Sequence, residues 1–116
     1  MNTIWKITGM YLLIIFFLII SSISANGQIK AIYFNAEWDS ANDIDWFEKL
    51  NDVNKEKMDI GKGDCQEKYQ IAIVPTIVIF KDGEEVKRFQ ADLSFKMVAT
   101  RKEVQNTIDE ILMSDF

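Results

Sequence analysis

Histidine is absent from this 116-residue chain, and cysteine and proline each occur once. Without histidine, the commonest general base and the commonest metal ligand are missing. A lone cysteine, Cys65, rules out any intrachain disulfide, whatever the redox compartment. Basic residues are also in the minority: 13 Lys and Arg face 18 Asp and Glu, for a formal net charge of −5. An acidic chain without a basic stripe suits neither nucleic acid nor an anionic membrane surface. Its acidity is most simply a solubility feature. There is no internal repeat and no low-complexity segment.

What the chain does have is a strongly apolar start. Lys6 is the sole charge before Lys30, and Met10 to Ile20 is an unbroken run of Met, Tyr, Leu, Ile and Phe. A bilayer span needs roughly 20 apolar residues, and the segment from Ile7 to Ile23 approaches that. Small and polar residues follow, from Ser21 to Gly27. A basic start, an apolar centre and a small-residue end are the pattern of a secretory signal. Cleavage after Ala25 or after Gly27 fits the pattern. Residues 1–27 are therefore expected to be a signal peptide or a retained N-terminal membrane anchor, with one domain over 28–116. That places the domain outside the cytoplasm, in the periplasm or secreted, or tethered to the inner membrane by residues 7–23. Any membrane contact runs through this segment.

The apolar run Ala31–Ile32–Tyr33–Phe34 predicts a buried strand over Lys30 to Asn35. Ile44, Phe47 and Leu50 recur at a spacing of three, which predicts a short helix from Asp43 to Asn51 with acids at its start. Trp46 within it is expected in the core. Val53, Met58 and Ile60 mark a weaker strand, and Asp64 is placed to cap a helix from Cys65 to Tyr69. After Pro75, Thr76 to Phe80 is apolar on both faces, as a central strand is. Asp82–Gly83 is a hairpin signal leading to a strand over Glu85 to Phe89. Thr100–Arg101–Lys102–Glu103 is a capping box, and Val104, Ile108, Ile111 and Leu112 then share one helix face.

Three segments resemble the thioredoxin-like superfamily. Ala36–Glu37–Trp38 is similar to the lead-in to its Cys-x-x-Cys motif. The run from Lys68 to Thr76, with Val74–Pro75, is similar to its Lys-Tyr-Gly-Ile-x-x-Ile-Pro-Thr segment, whose proline is cis. Phe80–Lys81–Asp82–Gly83–Glu84 matches its hairpin. The chain also resembles small exported thioredoxin-like proteins of the Bacteroidetes lineage, through the run from Asp82 to Asp92 and the ending Met113 to Phe116. The resemblance implies a minimal thioredoxin-like α/β fold, with a central mixed β-sheet of about four strands flanked by helices.

The departures bear on function. Asp39 and Asn42 stand where the resemblance places the two sulfurs, and neither can form or exchange a disulfide. Tyr33 falls at the family's buried aspartate. The interval from Trp38 to Asp59 is shorter than the family's by about three helical turns of residues. The resemblance thus implies a domain without the family's redox reaction and without a cofactor. Its expected role is to bind a protein or an extended peptide at Trp38, Val74 and Pro75, since main-chain pairing does not depend on the cysteines.

Each candidate has a plainer alternative. Trp38 is equally suited to packing on the first helix. Asp39, Asn42, Asp43 and Asp45 lack the spacing of a calcium loop and read as helix-capping groups, so no metal is expected. Cys65 reads as a small buried hydrophobe, with a reactive thiol or an interchain disulfide as the alternatives. Phe89, Ala91, Leu93, Phe95 and Met97 alternate with polar residues, predicting a prolonged edge strand. The sharper reading is that Leu93, Phe95 and Met97 form an exposed patch for a partner. The sequence leaves open whether that partner is a second copy.

Overall fold

The computed structural model describes residues 28–114; the expected signal or anchor lies outside them. Strand β1 (Ile29–Asn35) is the apolar run read from the sequence, and six of its seven residues are buried. That is possible because β1 is an inner strand of a four-stranded sheet of order β2-β1-β3-β4. Strand β2 (Asn54–Asp59) pairs with it in parallel, and β3 (Thr76–Lys81) pairs antiparallel on the other side. β3 and β4 (Glu84–Gln90) form a hairpin closed by Asp82 and Gly83, both at positive φ. Positive φ at both central residues is what a tight two-residue hairpin turn requires, and Asp-Gly supplies it at little cost.

Alternation along β1 and β3 feeds two cores. Ile29, Ala31 and Tyr33 of β1 and Ile77 and Ile79 of β3 face one side. Helix α2 (Arg101–Ser114) covers them with Val104, Ile108 and Ile111, joined by Phe47 and Leu50. Its start is capped as the sequence predicts: the Thr100 hydroxyl accepts a hydrogen bond from the Glu103 N–H at 3.2 Å. Ile32, Phe34 and Val78 face the opposite side, beneath Ile71 and Val74. The short helix α1 (Cys65–Lys68) lies there, with Cys65 and Tyr69 packed on that core. Asp64 precedes α1 but makes no side-chain cap.

Two expected elements take another form. In place of a helix over Asp43 to Asn51 there is one 3₁₀ turn, Phe47–Lys49; another, Glu37–Asn42, precedes it, with extended backbone at Asp43 between them. The apolar spacing of three suits this form as well as a helix, because residues i and i+3 eclipse on a 3₁₀ turn. Phe47 and Leu50 are thereby buried together, while Trp46 and Ile44 pack half-buried beside them. Gln105 of α2 anchors the end of this segment, accepting from the Asn51 N–H at 2.8 Å and donating to its C=O at 3.1 Å.

The second difference is at 91–97. β4 ends at Gln90 and the chain turns, with a lone bridge between Ala91 and Met97. The Asp92 carboxylate accepts from the Ser94 N–H and O–H and from the Lys96 N–H, at 2.6–3.2 Å. These bonds satisfy the backbone locally, so no prolonged strand forms.

Candidate functional site

Register brings the candidate residues to one end of the sheet. Phe34 of β1 pairs with Thr76 at the start of β3, which pairs with Gln90 at the end of β4. The turn carrying Trp38, the Val74–Pro75 bend and the 91–97 loop therefore emerge side by side. The Val74–Pro75 peptide bond is cis. The Ala91 N–H donates to the Pro75 carbonyl at 3.0 Å, and the Thr76 hydroxyl to the Ile73 carbonyl at 2.6 Å. Both bonds fix the bend against its neighbours.

Trp38 is 66% exposed, and its indole meets the Phe95 ring edge-on at a centroid distance of 5.1 Å. Leu93 is 93% exposed and Phe95 39%, whereas Met97 is half-buried against the α2-side core. The expected alternating patch of Leu93, Phe95 and Met97 is thus split by the turn: two face outward and one inward. Val74, at 1% exposure, and Pro75 are buried. They form the floor of this end of the domain rather than an open ledge.

Beneath Trp38 lies a polar network. Asp39 is buried, and one of its carboxylate oxygens accepts from the Asn42 amide at 2.7 Å. The two residues at the expected sulfur positions therefore hold each other. The Tyr33 hydroxyl donates to the Asp43 carboxylate at 2.8 Å. The buried Asn35 amide donates to the same carboxylate, and at 3.3 Å to the Tyr33 oxygen and the Asp39 carbonyl. Asp43 thus serves the sheet and not a helix start, which corrects the capping expectation. Asp39 and Asn42 bond each other, and Asp45 stays exposed. An open cleft of about 520 Å³ borders the network, lined also by Glu37, Lys57, Asp59 and Lys62. Among the described residues no cluster of acids or thiols is arranged to hold a metal ion.

Burial, followed by the hydrogen bond to Asp43, pushes the Tyr33 phenol well above its ordinary value. A folded state that holds this proton more tightly gains stability relative to an unfolded chain that has lost it. The contribution is complete below about pH 10, the value for a free phenol, and drains away as the pH rises further. The urea midpoint of the wild type is expected to drop more between about pH 9 and pH 11 than that of Tyr33→Phe, which lacks the phenol. Parallel curves for the two proteins would rule out this linkage.

Cys65 is half-buried, and its thiol donates to the Asp59 carbonyl at 3.4 Å. It packs against the core on the α1 side, as Met58 and Ile60 do. α1 is one turn long, so the dipole at its start is small. Sequence reasoning missed Asn35, whose only signal is a polar residue closing an apolar strand. It also missed Arg88, which donates from β4 to the Tyr69 and Gln70 carbonyls at 2.8 Å and secures the end of α1.

No protein-family model matches the chain, and no curated protein sequence is similar to it. Solved structures are. A mutant thioredoxin from Halobacterium salinarum NRC-1 superposes with a TM-score of 0.58 at 17% identity, covering 80% of this chain and 82% of that one. A thioredoxin from Fasciola hepatica gives 0.54 at 23% identity, with 75% and 84% covered. One from Plasmodium falciparum gives 0.56 at 19%, with 78% and 89% covered. At such identities the likeness is one of fold: the four-stranded mixed sheet and its flanking helices are thioredoxin-like.

Proposed function

We propose that this thioredoxin-like domain is a protein-binding module of the cell envelope that works without thiol exchange. The observation that carries the reading is the convergence of exposed Trp38, Leu93 and Phe95 at the end of the sheet where Asp39 and Asn42 are bonded to each other. Large exposed apolar side chains that gather in one place usually mark an interaction site. A carboxylate–amide pair in the adjoining turn supplies neither an attacking nor a resolving thiol. The partner is a protein or an extended peptide. The apolar segment at residues 7–23 would deliver the domain outside the cytoplasm, whether it is cleaved or retained as a tether.

Co-purification from an extracytoplasmic fraction tests the reading, using wild type, Trp38→Ala and Leu93→Ser. At least one partner should be retained by wild type and depleted tenfold or more by both variants. Identical partner sets for all three proteins would sink it. The alternative, thiol–disulfide chemistry at Cys65, draws support from the partial exposure of that thiol. Turnover in an insulin-reduction assay, abolished in Cys65→Ser, would favour it instead.

A further inference from the structure

We propose that a groove at the other end of the sheet from Trp38 is a site for a small aromatic carboxylic acid. Its apolar body would lie on Ile32, Tyr69 and Phe80, with its carboxylate at Lys68. This goes beyond the protein-binding reading and does not depend on it.

The groove follows from the unequal cover of the two sheet faces. The fourteen residues of α2 lie over one face, and only the four of α1, followed by Tyr69, over the other. Lys30 of β1 stands opposite Phe80 of β3 on that second face, and Ile32 is two residues further along. Towards the hairpin the cover runs out, so Phe80 is half-buried where Val78 is fully buried. The space left is about 370 Å³, within the roughly 300–1,000 Å³ of small-molecule sites.

Its walls are apolar and already in place. Ile32, buried in an inner strand, forms the floor. The Tyr69 ring stands edge-on to Phe80 at 5.9 Å and tilted against Phe34 at 5.1 Å. Arg88 donates to the Tyr69 carbonyl at 2.8 Å and so ties this residue to β4. Fixed aromatic walls favour a further ring and cost the ligand little ordering of the protein.

The polar groups set the charge of the ligand. The chain has 18 acidic and 13 basic residues, yet two lysines and no acid line this groove. Lys30 is held at the rim by Glu56 at 2.6 Å. Lys68 has no ion pair among the described residues, and its ammonium lies 5.3 Å from the centroid of the Tyr69 ring. The Tyr69 hydroxyl takes part in no hydrogen bond there either. A free ammonium and a free phenol O–H are both donors, and a carboxylate satisfies both. The cleft beside Tyr33 differs, because Glu37, Asp43 and Asp59 offset its lysines.

The test is an NMR titration of the full chain with hydrocinnamate. The Ile32 methyl and Tyr69 ring signals should shift and saturate, at about 1–10 mM for so small a ligand. The Trp38 indole N–H should stay in place. No saturable shift, or a shift at Trp38 instead, overturns the site. The neutral hydrocinnamamide should bind at least fivefold more weakly, and so should acetate, which lacks the ring. Equal binding of the amide overturns the charge assignment, and equal binding of acetate overturns the apolar floor. Lys68→Gln, at an exposed position, should weaken binding of the acid at least fivefold and leave that of the amide unchanged. An unchanged affinity for the acid overturns Lys68 as its anchor. The co-purification test reads the opposite end of the sheet, so either proposal can fail without the other.

Discussion

Phe34→Ala is expected to destabilise the domain by about 3–5 kcal/mol, the range for truncating a fully buried phenylalanine. Phe34 has no solvent exposure, and its ring lies 5.1 Å from that of Tyr69 in the core on the α1 side. That core has little else to close over a cavity. Its covering helix is the four-residue α1, whereas the opposite core lies under the fourteen residues of α2. Domains of this size hold roughly 0.05–0.15 kcal/mol per residue, so such a loss removes a large part of the total. The midpoint of thermal unfolding should fall by more than 10 °C, at about 4–8 °C per kcal/mol. Leu93→Ala, at an almost fully exposed position, is the control and should stay within about 0.5 kcal/mol of wild type. A loss below 1 kcal/mol for Phe34→Ala would mean that this core is not packed as described.

Asn35→Leu should cost about 1–3 kcal/mol, the range for one buried group left without its partner. The change keeps the number and branching of side-chain heavy atoms and deletes the donor. The Asp39 carbonyl loses the side-chain donor it has from Asn35, and Asp43 keeps only the Tyr33 hydroxyl. The amide oxygen of Asn35 itself has no partner among the described residues, so its removal offsets a part of the loss. The effect should also be local. The 3₁₀ turn from Glu37 to Asn42 is tied to the sheet by this amide, and its own start carries no side-chain cap. Amide exchange at Trp38 and Asp39 should accelerate before that of Ile77. Denaturant unfolding and residue-resolved exchange measure both parts. A variant as stable as wild type, with an unchanged Trp38 amide, would remove Asn35 from the support of the site.

The strands were legible because their signals are local. Short apolar runs placed β1 and β3, and Asp-Gly placed the hairpin. The long helix followed from a capping box and a period of 3.6. The segment between Trp38 and Asn51 was not legible in the same way. A spacing of three fits both helix types on paper, and the bonds that chose 3₁₀ turns reach outside the segment, to Tyr33 and Asn35 of β1 and to the distant Gln105. The 91–97 loop misled for a related reason. Its alternation is that of a strand, but Asp92 satisfies the nearby N–H groups more cheaply than an edge ladder would.

What the sequence by itself determined is the order of its strands and helices and the place of the bend at Pro75. These depend on neighbours in the chain, where backbone preference and side-chain period act directly. Only the tertiary structure decided that Asp43 serves Tyr33 and Asn35 and that Phe95 reaches Trp38. Those contacts arise from sheet register, which carries β1, β3 and β4 to a common end and sets residues 57 positions apart ring against ring. Pairing at that range is fixed by the packing of two cores, and no local pattern encodes it.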